Sequence, residues 1–194
     1  MRADEFIAEI NFPDELDVSD AIQDYFIKRG YSIAGEGRDQ IAFESPRGTV
    51  VKVLGIGDTE REDIVKEYVH FFLQNQKNPY YPRIYSTGEF TVEDETYFVY
   101  EMEHLQYIAN DEDALDYLEA LMSTLEMRPG QLKDFVEKTP VPAELHAQEI
   151  KGLVQATQAM AQAIGGNAPL DLSQVENLGR RSDGHIVIMD PYSL

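Results

Sequence analysis

Apolar side chains recur every three or four residues in five stretches of this chain and alternate with polar ones in most of the rest. Across 17–29, Val18, Ala21, Ile22, Tyr25 and Phe26 share one helical face, and Gly30 supplies a stop. Residues 31–34 and 40–44 read as extended, the second with Ile41 and Phe43 alternating, and the glycines Gly35 and Gly37 lie between them. Ser45-Pro-Arg-Gly48 predicts a turn, and 49–54, β-branched and bounded by glycines, predicts a strand. Asp58 or Thr59 can cap a helix reaching about Gln76, with Glu60, Glu62 and Asp63 at the positive end of its dipole. Pro79 and Pro82 then break the chain ahead of two predicted strands, 83–90 and 96–102, joined by an acidic turn at 93–95.

From Asp111 the period becomes helical. Helices are predicted at 113–125, from 129 or 130 to 136, and at 143–164, with a turn at 140–142 and Gly165-Gly166 as the last stop. After Pro169 comes a loop, then a hairpin that turns at Ser182-Asp-Gly184 into an apolar strand at 186–189. Strands with one inserted helix, followed by a mainly helical half, predict an α+β chain.

Composition narrows the functions open to it. A chain of 194 residues fits one domain, or a small lobe plus a larger one, and buries a core without staples. It has no cysteine, so disulfides, thiolate metal sites and thiol nucleophiles are excluded. The N-terminus lacks a basic-then-apolar leader, and no apolar run approaches the roughly 20 residues that span a bilayer. The expectation is a cytoplasmic protein without membrane contact. The formal net charge of -20 argues against direct nucleic-acid binding, because neutralising phosphates needs Lys and Arg. Residues 84–127 hold twelve Asp and Glu and neither Lys nor Arg. Such a stretch either attracts a basic partner or simply keeps the chain soluble.

The residues able to carry chemistry fall at the two ends of this pattern. A glycine-rich hairpin at Gly35 and Gly37 lets backbone N–H groups approach phosphates without a Cβ in the way, and Lys52 on the next strand can reach the same phosphates. Alternation puts Lys52 on a face with Val50 and Leu54, where an inward ammonium needs an anionic partner. Glu60 and Glu67 flank the apolar stripe of the following helix, and Glu67 is the preferred candidate. Near the C-terminus stand Asp171, Asn177 six residues later, and Asp190 at the end of an apolar strand. Phosphoryl transfer needs a carboxylate to orient the nucleophile, an amide oxygen and a carboxylate for magnesium, and a cation for the phosphates. Asp171, Asn177, Asp190 and Lys52 supply one of each.

Taken in order, Gly35-x-Gly37, Val50-Val-Lys52, the helix after it, Asn78-Pro-Tyr-Tyr-Pro82-Arg-Ile-Tyr85, Tyr97-Phe-Val-Tyr-Glu-Met102 and Asp171…Asn177…Ile186-Val-Ile-Met-Asp190-Pro191 resemble the protein-kinase-like fold. More narrowly, the chain resembles the compact early Ser/Thr protein kinases of tailed bacteriophages that remodel their host. The resemblance implies a two-lobed α+β fold: an added N-terminal helical segment at 1–30, a mostly β N-lobe at 31–105, and a reduced, mostly helical C-lobe at 106–194. It implies ATP and Mg²⁺ as cofactors. Gly35 and Gly37 would cover the phosphates and Lys52, paired with Glu67, would hold them. The segment from Glu101 to Glu103 would form the hinge near adenine, Asp171 would be the catalytic base, and Asn177 and Asp190 would ligate Mg²⁺. The substrate would be a host protein, with a basic surface drawn to the acidic face.

The terminal loop departs from the family in two ways. Asn177 follows Asp171 by six residues rather than five, and Ser173 stands where a His or Lys is expected. These departures give the alternative function, a catalytically impaired, pseudokinase-like acidic protein that binds and inhibits a host factor, with mimicry of DNA as one form.

Overall fold

The structure, a computed structural model, describes residues 9–10, 18–36, 40–54, 59–92, 95–108, 112–127, 129–164 and 175–190. The chain divides into two compact units. Unit one holds residues 1–73 and 83–104, with Leu194; unit two holds 74–82 and 105–193. Residues 74–82 thus interrupt unit one in sequence and group with unit two.

Unit one is a six-stranded sheet with two helices. Its elements are β1 (Glu9–Ile10), α1 (Val18–Ile27), β2 (Ser32–Glu36), β3 (Gln40–Glu44), β4 (Thr49–Leu54), α2 (Thr59–Gln74, its last residue grouped with unit two), β5 (Ile84–Val92) and β6 (Glu95–Glu103). The strands lie in the order β1-β5-β6-β4-β3-β2, antiparallel except for the short parallel pairing of β1 with β5. β1 was not foreseen, because two residues carry no readable period.

Period-two alternation gives this sheet two different faces. Ile41, Phe43, Val51, Val53, Phe90, Val92, Tyr97 and Val99 bury one face against Ala21, Ile22, Tyr25 and Phe26 of α1. Phe26 stacks on Phe43 at 4.3 Å between ring centroids, and Tyr25 meets Phe90 edge-on at 4.8 Å. The α1 helix ends where Gly30 takes φ +85° and the Tyr31 N–H reaches back to the Phe26 carbonyl, an αL stop that only glycine adopts cheaply. The opposite face carries Phe98, with Lys66 of α2 over its ring at 5.5 Å. Along α2, Val65, Tyr68, Val69 and Phe72 form the buried stripe.

Unit two is mostly helical. It contains β7 (Gln106–Tyr107), α3 (Glu112–Met127), a 3-10 turn (Pro129–Gln131), α4 (Leu132–Lys138), α5 (Ala147–Ile164), a second 3-10 turn (Val175–Asn177), β8 (Leu178–Arg180) and β9 (Ile186–Ile188). Ala114, Tyr117, Leu118, Leu121, Met122 and Leu125 line the inner side of α3 at helical spacing. The α5 helix starts at Ala147, four residues later than its alanine-rich pattern predicts, and 140–146 run as turn and coil. The short strands β7, β8 and β9 form a separate antiparallel sheet.

The segment 78–82 is fixed within unit two by specific contacts. Asn78 accepts the Tyr80 N–H at 3.0 Å, and the Tyr81 hydroxyl donates to the Ala156 carbonyl of α5 at 2.7 Å. A Cβ on Gly152 of α5 would stand 2.1 Å from the Tyr80 hydroxyl oxygen and 2.3 Å from its ring carbon. This explains a glycine in mid-helix. Burial pushes the Tyr81 phenol up to about 12. The Tyr68 phenol of unit one also rises to about 12, chiefly by burial, with the charge of Glu67 adding to it. Together these elements give an α+β chain, a mostly β unit and a mostly helical one, in the element order the sequence implied. Among the described residues, no helix is long and apolar enough to cross a membrane.

Three outcomes follow from this packing. Phe26→Ala should cost about 3–5 kcal/mol in urea unfolding, the usual loss for a buried phenyl ring. Gly152→Ala, which in an exposed helix would stabilise by about 1 kcal/mol, should instead destabilise by about 1–3 kcal/mol because the Tyr80 ring must move. Two phenols with folded values near 12 and ordinary values near 10 lend stability that is intact below pH 10 and lost as pH rises from 10 to 12. Chemical denaturation across that range should show the fall, and Tyr81→Phe should make it shallower.

Candidate functional site

The β8–β9 hairpin brings Asn177 and Asp190 together. Leu178 stands opposite Ile188 in the register, so the residues just outside the two strand ends become neighbours. The Asn177 carbonyl accepts the N–H groups of Met189 at 2.7 Å and Asp190 at 3.3 Å. Both residues are half-buried. An amide oxygen and a carboxylate form a hard donor set that suits Mg²⁺, which takes few protein ligands and completes its shell with water and phosphate. The residues present therefore fit the ion. Asp171, the expected base, lies outside the described residues, as does Gly37. Among the described residues no group of three or more His, Asp or Glu is arranged to hold a metal.

The hairpin is held at its turn and along its outer edge. Gly184 closes the turn at φ +96°, its N–H donating to the Arg181 carbonyl at 2.9 Å. Asp183 accepts the His185 N–H at 3.2 Å. The buried Arg181 guanidinium donates to the carbonyls of Pro79 at 2.8 Å and Tyr81 at 3.0 Å. Between those two, the Tyr80 carbonyl accepts the Ile188 N–H at 2.9 Å. Glu149 of α5, also buried, accepts the Ile186 N–H at 2.7 Å. Burial raises the Tyr80 phenol, and the Glu149 charge raises it further. On the inner side, a Cβ at Gly179 would come within 2.8 Å of Leu105, so β8 needs glycine where the chain around β7 crosses it.

The sequence pointed to the Ser182-Asp-Gly184 turn but to neither Glu149 nor Arg181 as a support. Glu149 sits in the first turn of α5, where an acidic residue normally serves the helix dipole, and Arg181 sits in a turn, where a cation is normally solvated. The one available signal was the tight Asn-Pro-Tyr-Tyr-Pro run, which implies an ordered segment without saying what orders it.

Lys52 is 5% exposed although it is a lysine. It stands opposite Ala42 on β3 and Tyr100 on β6, between Val51 and Val53, whose side chains enter the α1 core. Alternation therefore puts Lys52 on the other face, the one carrying Phe98 and met by α2. Glu67 on that helix is exposed. Gly35 is exposed at the irregular end of the β2–β3 pairing, with no atom within 4 Å of an added Cβ. Packing does not require glycine there.

Glu101 and Glu103 are buried at one end of this sheet, and their carboxylates turn to the α1 side, opposite to Lys52. A one-way chain of donors ends on Glu101. The N–H groups of Arg47 and Thr49 donate to the Ser45 hydroxyl, which lies 2.6 Å from the Thr49 hydroxyl, and that hydroxyl donates to Glu101 at 2.5 Å. Glu103 accepts the Arg83 N–H at 2.9 Å. These carboxylates close the sheet end, so any contact of this segment with an adenine would be made by its backbone.

No family model matches the chain, and no curated relative does. The solved structures similar to it include two at low identity. One is the aminoglycoside phosphotransferase APH(2″)-IIa in its ternary complex with streptomycin and ATP, 17% identical over 93% of this chain and 71% of that one, TM-score 0.38. The other is APH(2″)-IIIa in complex with GDP and kanamycin, 14% identical over 84% of this chain and 64% of that one, TM-score 0.39.

Proposed function

We propose that the chain is an atypical Ser/Thr protein kinase of phage type, transferring the γ-phosphate of ATP to a hydroxyl of a host protein. The observation that carries this reading is the juxtaposition of Asn177 and Asp190 through the hydrogen bond between their backbones. In it, Asn177 and Asp190 hold Mg²⁺, which when bound neutralises charge on the nucleotide phosphates. Lys52, buried on β4, is the cation that would hold nucleotide phosphates. Gly35 leaves room for a phosphate to approach the backbone of the hairpin. Asp171 accepts the proton of the attacking hydroxyl as the phosphoryl group leaves ADP.

The exposed acids Glu112, Asp113, Asp116 and Glu119 of α3 form the face that would draw a basic substrate. The same face supports the second reading, an inhibitor that binds a host factor without catalysis, in which complex formation needs neither Lys52 nor Asp190.

Calorimetric titration of ATP with and without Mg²⁺ tests the first reading. Binding should be tighter with Mg²⁺ than without it and should weaken roughly 10–100-fold in Lys52→Met, the worth of a charged hydrogen bond. Gly35→Ala should leave the urea midpoint unchanged while weakening ATP binding. Labelled γ-phosphate should pass to the protein itself or to host extract, and Asp190→Ala should abolish that transfer. A chain that binds no nucleotide under any of these conditions is not a kinase.

A further inference from the structure

The strand that delivers Asp190 is an edge strand, since β9 lies at the rim of its three-stranded sheet. Edge strands leave N–H groups without a ladder partner, and a strand of three residues has little else to hold its register. Here both outward N–H groups are taken. Ile186 donates to Glu149 and Ile188 to the Tyr80 carbonyl, while Arg181 grips the carbonyls on either side of Tyr80. Tyr80 thereby covers the outer edge of β9 through one backbone hydrogen bond, with Arg181 holding the residues on either side of it.

The choice of residues is costly for so modest a task. A buried carboxylate accepts the Ile186 amide, a role that a neutral glutamine could also fill, and a buried guanidinium donates to two backbone carbonyls. Charge-assisted hydrogen bonds are shorter and about twice as strong as neutral ones, and a planar guanidinium can fix two acceptors at once. They suit a place where a small displacement matters more than stability. Asp190 begins two residues beyond Ile188, and its own N–H ends on Asn177.

We propose that Glu149 and Arg181 are positioning residues for Asp190. By fixing β9 against α5 and residues 79–81, they set the approach of Asp190 to Asn177 and with it the affinity for a divalent cation. This rests on the reading of Asn177 and Asp190 as the cation's ligands. Neither positioning residue touches the ion; each acts through the β9 backbone.

The test is Mn²⁺ binding, read from the free-ion EPR signal, to the full chain saturated with ADP. Glu149→Leu, which removes the acceptor, and Arg181→Lys, which keeps the charge but replaces the rigid two-nitrogen fork with a single nitrogen, should each weaken Mn²⁺ roughly 10–100-fold, as loss of ligand-orienting groups does. Glu149→Gln, which keeps an acceptor, should recover most of the affinity. ADP binding without metal should be unchanged in all three, which separates displaced ligands from general damage. If Glu149→Leu does not fold, the other two variants decide. Wild-type Mn²⁺ affinity in folded Arg181→Lys overturns the proposal. If Asp190→Asn itself leaves Mn²⁺ binding unchanged, the ligand assignment falls first and takes the positioning role with it, a result distinct from the preceding one.

Discussion

A guanidinium removed from water must find acceptors, and Arg181 finds two of them in the backbone of Pro79 and Tyr81. Much of unit two is organised around that requirement. It ties the β8–β9 turn to a segment about a hundred residues earlier in the chain. Tyr80 is then placed to cap Ile188, and Tyr81 to reach α5 through the Ala156 carbonyl. Gly152 yields the space that Tyr80 occupies. Each contact is modest alone, but they share residues 79–81, so losing one loosens the others.

Unit one depends on a different constraint, the two-residue alternation of its strands. Val51 and Val53 enter the core beneath α1, which forces Lys52 to the opposite face. Glu101 and Glu103, by the same rule, turn to the α1 side and meet Thr49 and the Arg83 amide. One strand pair thus places a buried cation and two buried carboxylates on opposite faces of the sheet.

Much of the architecture was legible because it is written in local periods. The stripe of Val18, Ala21, Ile22, Tyr25 and Phe26 predicts α1 to within two residues at each end, and the β-branched run at 49–54 is β4 as read. The two short strands β1 and β7 were not legible, since a pair such as Gln106–Tyr107 becomes a strand only by meeting Gly179 and Arg180. The late start of α5 has a similar origin. Residues 143–146 have helical composition, yet Leu145 is buried in a turn whose N–H bonds to the Pro142 carbonyl.

For the candidate site, the sequence by itself determined the inventory: a lysine in an apolar strand, glycines in the preceding hairpin, and an amide and a carboxylate flanking a short hairpin. Residue type and spacing along the chain suffice for that. Only the tertiary structure decided which of these meet and what holds them. It set Asn177 beside Asp190, turned the carboxylates of Glu101 and Glu103 away from Lys52, and enlisted Glu149 and Arg181 as supports. The reason is physical: a buried charge or an orphan N–H takes whichever partner the packed chain brings within about 3 Å, and separation in sequence has no bearing on which partner that is.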